Sequence, residues 1–389
     1  MLLGALTTFG PLSMDLYLPG MPAMTDDLSA SPSQAQLTIT AFLIGMAAGQ
    51  FLAGPVSDAL GRRRPLLAGL AVYAATSALC ALAPSIATLV ALRVAQGIAG
   101  ATGIVIARAM VRDRTAGGSD TARVFAMLML VMGIAPMVAP IAGGLLLEVT
   151  DWRGTFGVLG LIGAALLTAA LLQAPETLPP ARRHRGGLAT TRRAMGELLR
   201  DRAFLAYALC LGLSFGTLTA YLAGASFLLE DVHGLSPFAF GLVFGVNALG
   251  MVLAAQLSAR LVTTAGPRRM LGAGLALGGV AGAAFLVATL LNAGLAVLLV
   301  CLWLLIASRG MVNPNAQALA MSEYPHAAGT ASGLMGVCQF GLGGLAAPLA
   351  GIGGAEAELP MAVLMAATGL AAAAVLALAV RRRRPASVV

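Results

Sequence analysis

An aspartate at position 15 and an arginine at position 93 stand well inside long apolar runs, where an ionised side chain costs at least ~2.5 to 3.5 kcal/mol near mid-bilayer on the insertion scale. A cost of that size points to use. At 1.5 Å per helical residue, Asp15 lies ~13 Å below the outer end of its run and Arg93 ~10 Å below the outer end of its own, so the two share a depth. A carboxyl group there can carry one proton per cycle, and a guanidinium beside it biases when the proton binds and leaves. The structural alternatives are a locally bonded helix residue beside Pro19 for Asp15 and a carbonyl-capping charge for Arg93.

The other charges within apolar runs are read differently. Arg108 and Glu148 stand at run ends and reach the interface. Arg309, ~21 Å from the outer side, is expected to stretch to the cytoplasmic surface, because the second half of the chain has no intramembrane acid to pair with it. Tyr17, Gln96, Tyr221, Asn247, Trp303, Asn313 and Gln339 are polar or amphipathic side chains at membrane depth, suited either to lining a substrate cavity or to bonding helices together.

Several chemistries are excluded by residue type. All 24 basic residues are Arg, so neither a phosphate-binding Gly-x4-Gly-Lys loop nor Schiff-base chemistry on Lys is available. His184, His233 and His326 fall in separate polar stretches with no HExxH or Cys/His cluster, so no metal is expected, and no cofactor. Cys80, Cys210, Cys301 and Cys338 lie singly in apolar runs as small buried hydrophobes.

The elements that position these residues are membrane helices. The chain of 389 residues is 59% hydrophobic and 10% charged, with mean hydropathy +0.89, against a usual charged share of about 25% in soluble domains. Its apolar runs are too long and continuous for barrel strands. They fall near 2 to 24, 34 to 57, 66 to 83, 86 to 109, 124 to 148 and 154 to 174, then near 203 to 227, 237 to 259, 270 to 291, 294 to 315, 329 to 350 and 360 to 380. The expected fold is therefore all-α and integral to the lipid bilayer, with twelve transmembrane helices as two pseudo-symmetric six-helix bundles, 1–174 and 203–380. A basic cytoplasmic linker (175–202) joins them, and an Arg-rich tail (381–389) follows. The first run lacks a basic start and carries Pro11, Asp15 and Pro19, so it reads as a span and not as a signal peptide.

Orientation follows from arginine placement. With the N-terminus inside, the inner loops and tail hold 20 Arg, while the outer loops hold only Arg153 and gather Asp26, Asp27, Asp151, Glu230, Asp231, Glu356 and Glu358. Both termini are predicted to be cytoplasmic, and pI 10.2 reflects topology with no nucleic-acid groove. The turn Ser57 to Leu67 after span two and the turn Ser258 to Leu271 after span eight occupy the same place in each half, which marks an internal repeat.

Four ordered motifs carry a family resemblance. Gly54-Pro55-Val56-Ser57-Asp58-Ala59-Leu60-Gly61-Arg62-Arg63-Arg64 resembles the signature between helices two and three of the major facilitator superfamily. Arg93 to Gly100 resembles its helix-four R-x-x-Q-G motif. Ala139-Pro140-Ile141-Ala142-Gly143-Gly144 resembles the helix-five motif of drug/proton antiporters, with Ala139 in place of the first Gly. Met14 to Pro19 is similar to the D-x-Y-L-P of the Bcr/CflA drug-efflux group, and Asn313-Pro314-Asn315, Ala328 to Gly333 and Gln339-Phe340 fit the same group.

The residues of these motifs also have a physical reading. Gly61 permits a tight inner turn, and Asp58 is placed to pair with Arg62, Arg63 or a neighbouring helix end as a gate latch; the alternative is a short basic loop that only sets topology. Pro136, Pro140, Gly133, Gly143 and Gly144 give span five a bending, thin-faced helix suited to the interface between moving halves; the alternative is ordinary small-residue packing.

The resemblance implies a proton-coupled antiporter that exports drug-like small molecules from a bacterial cytoplasm by alternating access, expected to act as a monomer in the cell membrane. Two alternatives remain at this stage. One is a proton-coupled nutrient symporter of the same fold. The other is a polytopic membrane enzyme, disfavoured because the one Asp pair, Asp26-Asp27, is expected outside and without partners.

Overall fold

A computed structural model describes residues 2–7, 9–114, 135–179, 195–322, 324, 328–350 and 358–381. Their regular structure is entirely helical: α1 (Leu2–Thr7), α2 (Phe9–Asp15), α3 (Met21–Asp27), α4 (Pro32–Leu60), α5 (Arg63–Ala81), α6 (Ile86–Arg114), α7 (Ala135–Leu146), α8 (Trp152–Gln173), α9 (195–200), α10 (Arg202–Ser226), α11 (Pro237–Ala265), α12 (Pro267–Leu290), α13 (Leu295–Ser322), α14 (Ala328–Ala350) and α15 (Glu358–Arg381). Ten of the described helices are long and apolar enough to cross a membrane. The first part of span five, including Gly133, most of the basic linker (180–194) and nearly all of the tail lie outside the described residues.

Local signals explain the helix ends. Ser31 accepts from the Gln34 amide while the Gln34 side chain accepts from the Ser31 amide, a capping box that starts α4 with Pro32 in its first turn. Asp151 accepts from the Gly154 amide and starts α8. α4 stops at Gly61 (φ 90°, ψ 166°), and α12 starts after Gly266 (φ 80°, ψ 153°). Both conformations favour glycine, so the two turns of the sequence repeat also share a backbone geometry.

The first apolar run is not one continuous helix. α2 ends at Asp15, a 3₁₀ turn follows at Leu18–Gly20, and α3 begins at Met21. Pro19 and Pro22 lack the amide hydrogens that an uninterrupted helix needs, and the Gly20 amide bonds instead to the Tyr17 carbonyl at 2.9 Å. Asp15 therefore occupies the last helical position before a break.

The contacts divide the chain into two compact units, Met1–Gly187 with Ala225–Gly245, and Leu188–Gly224 with Val246–Val389. The first unit thus includes the end of α10, which winds into a π-helical turn at Phe227–Val232, and the beginning of α11. Within it, α4 lies against α6 so closely that a β-carbon on Gly45 would strike the Val94 carbonyl and one on Gly97 the Phe42 carbonyl. The second unit repeats this approach. A β-carbon on Gly310 of α13 would strike the Met251 carbonyl of α11.

Candidate functional site

Arg93 leaves α6 beside that glycine crossing and is fully buried. Its Nη1 donates to the Ser13 carbonyl (3.0 Å) and to Gln96 Oε1 (2.6 Å), and its Nε reaches the Thr38 carbonyl at 3.4 Å. The Ser13 carbonyl is available because it lies in the last turn of α2, where carbonyls lack helical partners. Three rings surround the guanidinium, with centroids 4.3 Å (Phe42), 4.6 Å (Tyr17) and 5.7 Å (Phe156) from its carbon. Hydrogen bonds to a charged group contribute ~1.5–3 kcal/mol each and a desolvated cation–π contact up to ~2 kcal/mol, enough together to offset the several kcal/mol that burying the charge costs. Nη2 alone has no hydrogen-bond acceptor among the described residues.

The network extends from there. Gln96 Nε2 donates to Ser77 Oγ (2.7 Å), Ser77 to the Tyr73 carbonyl (2.7 Å), and the Tyr73 hydroxyl pairs with Ser13 Oγ, back on α2. Tyr17 pairs through its hydroxyl with Thr38 at 2.9 Å. Gln96 and Tyr17, read from sequence as cavity candidates, are thus bound into the wall around Arg93.

Asp15 is 5% exposed and makes no ion pair among the described residues. The structure brings Arg93 to the backbone two residues before Asp15, and does not join the two side chains. Ser13, Thr38, Phe42, Tyr73, Ser77 and Phe156 were not read from the sequence as site residues, since single hydroxyls and rings within apolar runs carry no distinguishing signal.

The inner turn forms a second cluster. Arg62 Nη1 pairs with Asp58 (2.6 Å) and receives Ser57 Oγ as a second acceptor (2.7 Å), while Nε pairs with Asp113 (3.0 Å) at the end of α6. Glu176, beyond α8, accepts from the backbone amides of Arg62 (2.8 Å) and Arg63 (3.3 Å), and Thr177 donates to Asp113 (3.0 Å). Arg63 Nη2 donates to the Leu171 carbonyl (2.9 Å). Gly61 makes the turn that presents both arginines; Gly54, one turn before Asp58, gives its carbonyl to Ser57 Oγ (2.9 Å) and faces open space. Asp113 and Glu176 were missed, although acids among inner-loop arginines are a readable signal.

In span five, a β-carbon on Gly143 would strike the Leu16 carbonyl, and one on Gly144 would stand 2.6 Å from the Pro237 carbonyl. Conversely, a β-carbon on Gly241 would stand 2.6 Å from the carbonyl of Pro140. Pro140 is buried and Pro136 partly so, one turn apart on the same helix. Gly143 therefore packs on the helix break next to Asp15, and Gly144 and Pro140 on the start of α11.

In the second unit, Asn247 donates to the Tyr221 hydroxyl at 2.8 Å and both are buried, while Trp303 donates to the Val246 carbonyl at 3.2 Å. Asn313 accepts from Ser214 at 3.0 Å and is partly exposed, as is Gln339. Two expectations are corrected here. Arg309 does not stretch to the surface; it is 1% exposed and donates to Ser214 Oγ at 3.1 Å, because it leaves α13 on the face packed against α10 and α12. Asp27 is not without partners: it accepts from Trp152 Nε1 (3.1 Å) and pairs with Arg153 (2.9 Å), tying α3 to the start of α8.

Comparison with known proteins agrees with this architecture. The family model described as Major Facilitator Superfamily matches residues 3–348. The chain is 39% identical to an uncharacterized MFS-type transporter, YdgK, of Bacillus subtilis, over 95% of this chain and 92% of that one. It is 32% identical to a bicyclomycin resistance protein homolog of Haemophilus influenzae (94% and 92% covered) and 32% identical to a chloramphenicol resistance protein of Pseudomonas aeruginosa (89% and 80% covered). In fold it is similar to a bacterial homolog of the human lysosomal transporter Spinster, with TM-score 0.77 at 17% identity over 98% of this chain and 96% of that one. Helical spans, the Gly61 turn with its arginines and whole-length relatives converge: the chain is a multi-pass membrane protein of the Major Facilitator Superfamily, within its Bcr/CflA-type group.

Proposed function

We propose that the protein is a proton-coupled antiporter that exports drug-like small molecules by alternating access, with Asp15 as its proton carrier. In this reading twelve spans form two six-helix bundles, both termini are cytoplasmic, as the arginine placement supports, and the monomer is the working unit. The resistance named in the Haemophilus and Pseudomonas relatives supports a drug-like substrate.

The observation that carries the proposal is Asp15 itself. It is a buried carboxyl group at a helix break, without an ion pair among the described residues, and Arg93 is fixed two residues away with Nη2 still free of acceptors among them. Broken helices at membrane depth are where transporters of this kind place ions and substrates. A small rearrangement of the Leu16 to Gly20 segment brings the carboxylate to Nη2 and favours the ionised form; its withdrawal favours the protonated one. Gly143, packed on the Leu16 carbonyl, couples such a movement to span five. The Asp58–Arg62–Asp113 latch and Glu176 tie the inner ends of α4, α6 and α8 and hold the inner gate in one conformation. Tyr221, Asn247, Trp303, Asn313 and Gln339 supply polar points for substrate in the second unit, while Tyr17 and Gln96 act through Arg93 in the first.

The test is drug-induced proton release from purified protein in weakly buffered detergent, with gradient-driven efflux measured in inverted vesicles. Asp15→Asn is expected to lose both while keeping downhill exchange of a neutral drug. Proton release or full active efflux by the mutant would place the coupling elsewhere.

A further inference from the structure

One half-buried carboxyl group is not used by the transport reading. Glu230 lies in the π-helical turn Phe227–Val232 that follows α10. It is partly exposed, yet its Oε1 is sealed from solvent and accepts no hydrogen bond among the described residues. Ser226 stands one turn earlier on the same helical face, fully buried, and its hydroxyl is unbonded too. Buried hydroxyls elsewhere in the chain return to a carbonyl of the preceding turn, as Thr219 does to Phe215 (3.1 Å) and Ser308 to Leu305 (2.6 Å). An ionised carboxylate only accepts hydrogen bonds, whereas a carboxylic acid brings a hydrogen of its own. A sealed carboxyl oxygen one turn from a bare hydroxyl therefore suits the protonated acid and is costly for the ionised one.

The charges around it act in the same direction. Asp231 is the next residue of the turn, and α3, which packs against the turn, carries Asp27 and also Asp26, whose charge reaches Asp231. Arg153 is engaged by Asp27 at 2.9 Å, and no cation pairs with Asp26, Glu230 or Asp231 among the described residues. With Glu230 ionised, three unpaired carboxylates meet at one contact; with it protonated, two do. His233 follows the turn, its Nε2 also sealed and unbonded. The same contact is tied to the helix break at Asp15. α3 begins directly after the 3₁₀ turn, and α7 touches both sides: Gly143 packs on the Leu16 carbonyl, and a β-carbon on Gly144 would stand 2.6 Å from the carbonyl of Pro237, at the start of α11. We infer that Glu230 is a second proton-binding site of this protein, whose protonation closes the contact between the π-helical turn and α3 and whose ionisation loosens it. On the export reading this face is the outer one, so low outside pH favours the closed contact and rising pH opens it; the site rests on that reading for its side of the membrane alone.

The test uses full-length protein in detergent and reads the emission of Trp152, whose Nε1 donates to Asp27 of α3 at 3.1 Å. Trp303→Phe leaves Trp152 as the one tryptophan of the chain. A one-proton transition is expected on titration, with a midpoint at least ~1.5 units above the ordinary glutamate value. Glu230→Gln keeps the shape without the titration and should abolish the transition, holding the closed signal at every pH. Asp231→Asn, at an exposed position, should lower the midpoint by about half a unit or more. It decides the matter if Glu230→Gln does not fold, and an unmoved midpoint would then overturn the site. No transition in wild type, or one that survives in Glu230→Gln, would overturn it as well; loss of that surviving transition in His233→Gln would assign the proton to the histidine.

Transport separates this site from coupling at Asp15. Exchange of neutral chloramphenicol across proteoliposomes at equal pH on both sides needs no gradient, so Asp15→Asn is expected to keep it. In that background the exchange rate should still change severalfold over the pH range in which Trp152 responds, and adding Glu230→Gln should remove the dependence. Exchange that is equally pH-dependent with and without Glu230→Gln would overturn the gating role. Gradient-driven efflux lost in Asp15→Asn, with no pH transition at Trp152, removes the site and leaves the export reading standing. A Glu230-dependent transition in a protein whose Asp15→Asn variant retains full active efflux does the reverse.

Discussion

The two units share a packing plan and differ in their chemistry. Gly97 lets α6 approach α4, and Gly310 lets α13 approach α11, so closely that no side chain fits between. Gly61 and Gly266 each turn the chain at nearly the same positive φ. The charges were not duplicated. Arg93 sits among carbonyls, an amide and three rings, whereas Arg309 has one serine. The Gly61 turn carries Arg62 with Asp58 and Asp113, whereas beside the Gly266 turn the buried contact is neutral, Asn315 donating to Ser258 at 2.8 Å. The two units thus share glycine approaches and a turn geometry but not their polar contacts. Among the described residues the first unit bonds its buried cation through two of three nitrogens, and the second through one.

The sharpest way to break this contrast is to replace each arginine by lysine and measure export of a neutral drug in inverted vesicles. Arg93→Lys should lower the rate by at least ~10-fold, because one ammonium cannot serve Ser13, Gln96 and Thr38 in the same plane. Arg309→Lys should lower it less, since that guanidinium serves Ser214 alone among the described acceptors. Equal losses would mean that the two charges do the same work.

A smaller effect tests the shared plan. Gly97→Ala and Gly310→Ala each push a methyl group into a facing carbonyl, an overpacking that costs typically ~1–3 kcal/mol. Both should lower the thermal midpoint of the purified protein by similar amounts. A large drop for one and none for the other would show that the halves are not packed alike.

The smallest expected effect concerns the inner turns. Asp58→Asn or Arg62→Ala is expected to slow transport severalfold while equilibrium drug binding changes by less than about threefold, because the latch touches no ligand. Asn315→Ala, at the neutral counterpart, should change neither appreciably. Binding lost in Arg62→Ala with turnover preserved would move the latch into the substrate site.

Much of this was legible along the chain. Apolar runs mark helices because every backbone polar group in a bilayer must be satisfied internally, and the runs at 34 to 57, 66 to 83 and 86 to 109 appear as α4, α5 and α6. Gly61 and the acids and arginines around it were readable because a turn needing positive φ selects glycine. The first run was read as continuous although Pro19, Gly20 and Pro22 stand in it, because apolar length dominates a reading of spans. Asp113 and Glu176 were overlooked because their arginine partner and the amides they receive lie 51 and 114 residues away.

By itself the sequence determined the membrane class and the apolar runs that form the long helices, since these depend on composition and on distance along one helix. The partner of a charge also depends on which way the side chain leaves its helix and on what the neighbouring helix presents there. That is why Arg93 meets the Ser13 carbonyl without pairing with Asp15, and why Arg309 turned inward to Ser214. Only the tertiary structure decided those partners, because helix rotation and crossing are set by glycine contacts such as Gly45 with Val94 and Gly310 with Met251, between residues far apart in the chain.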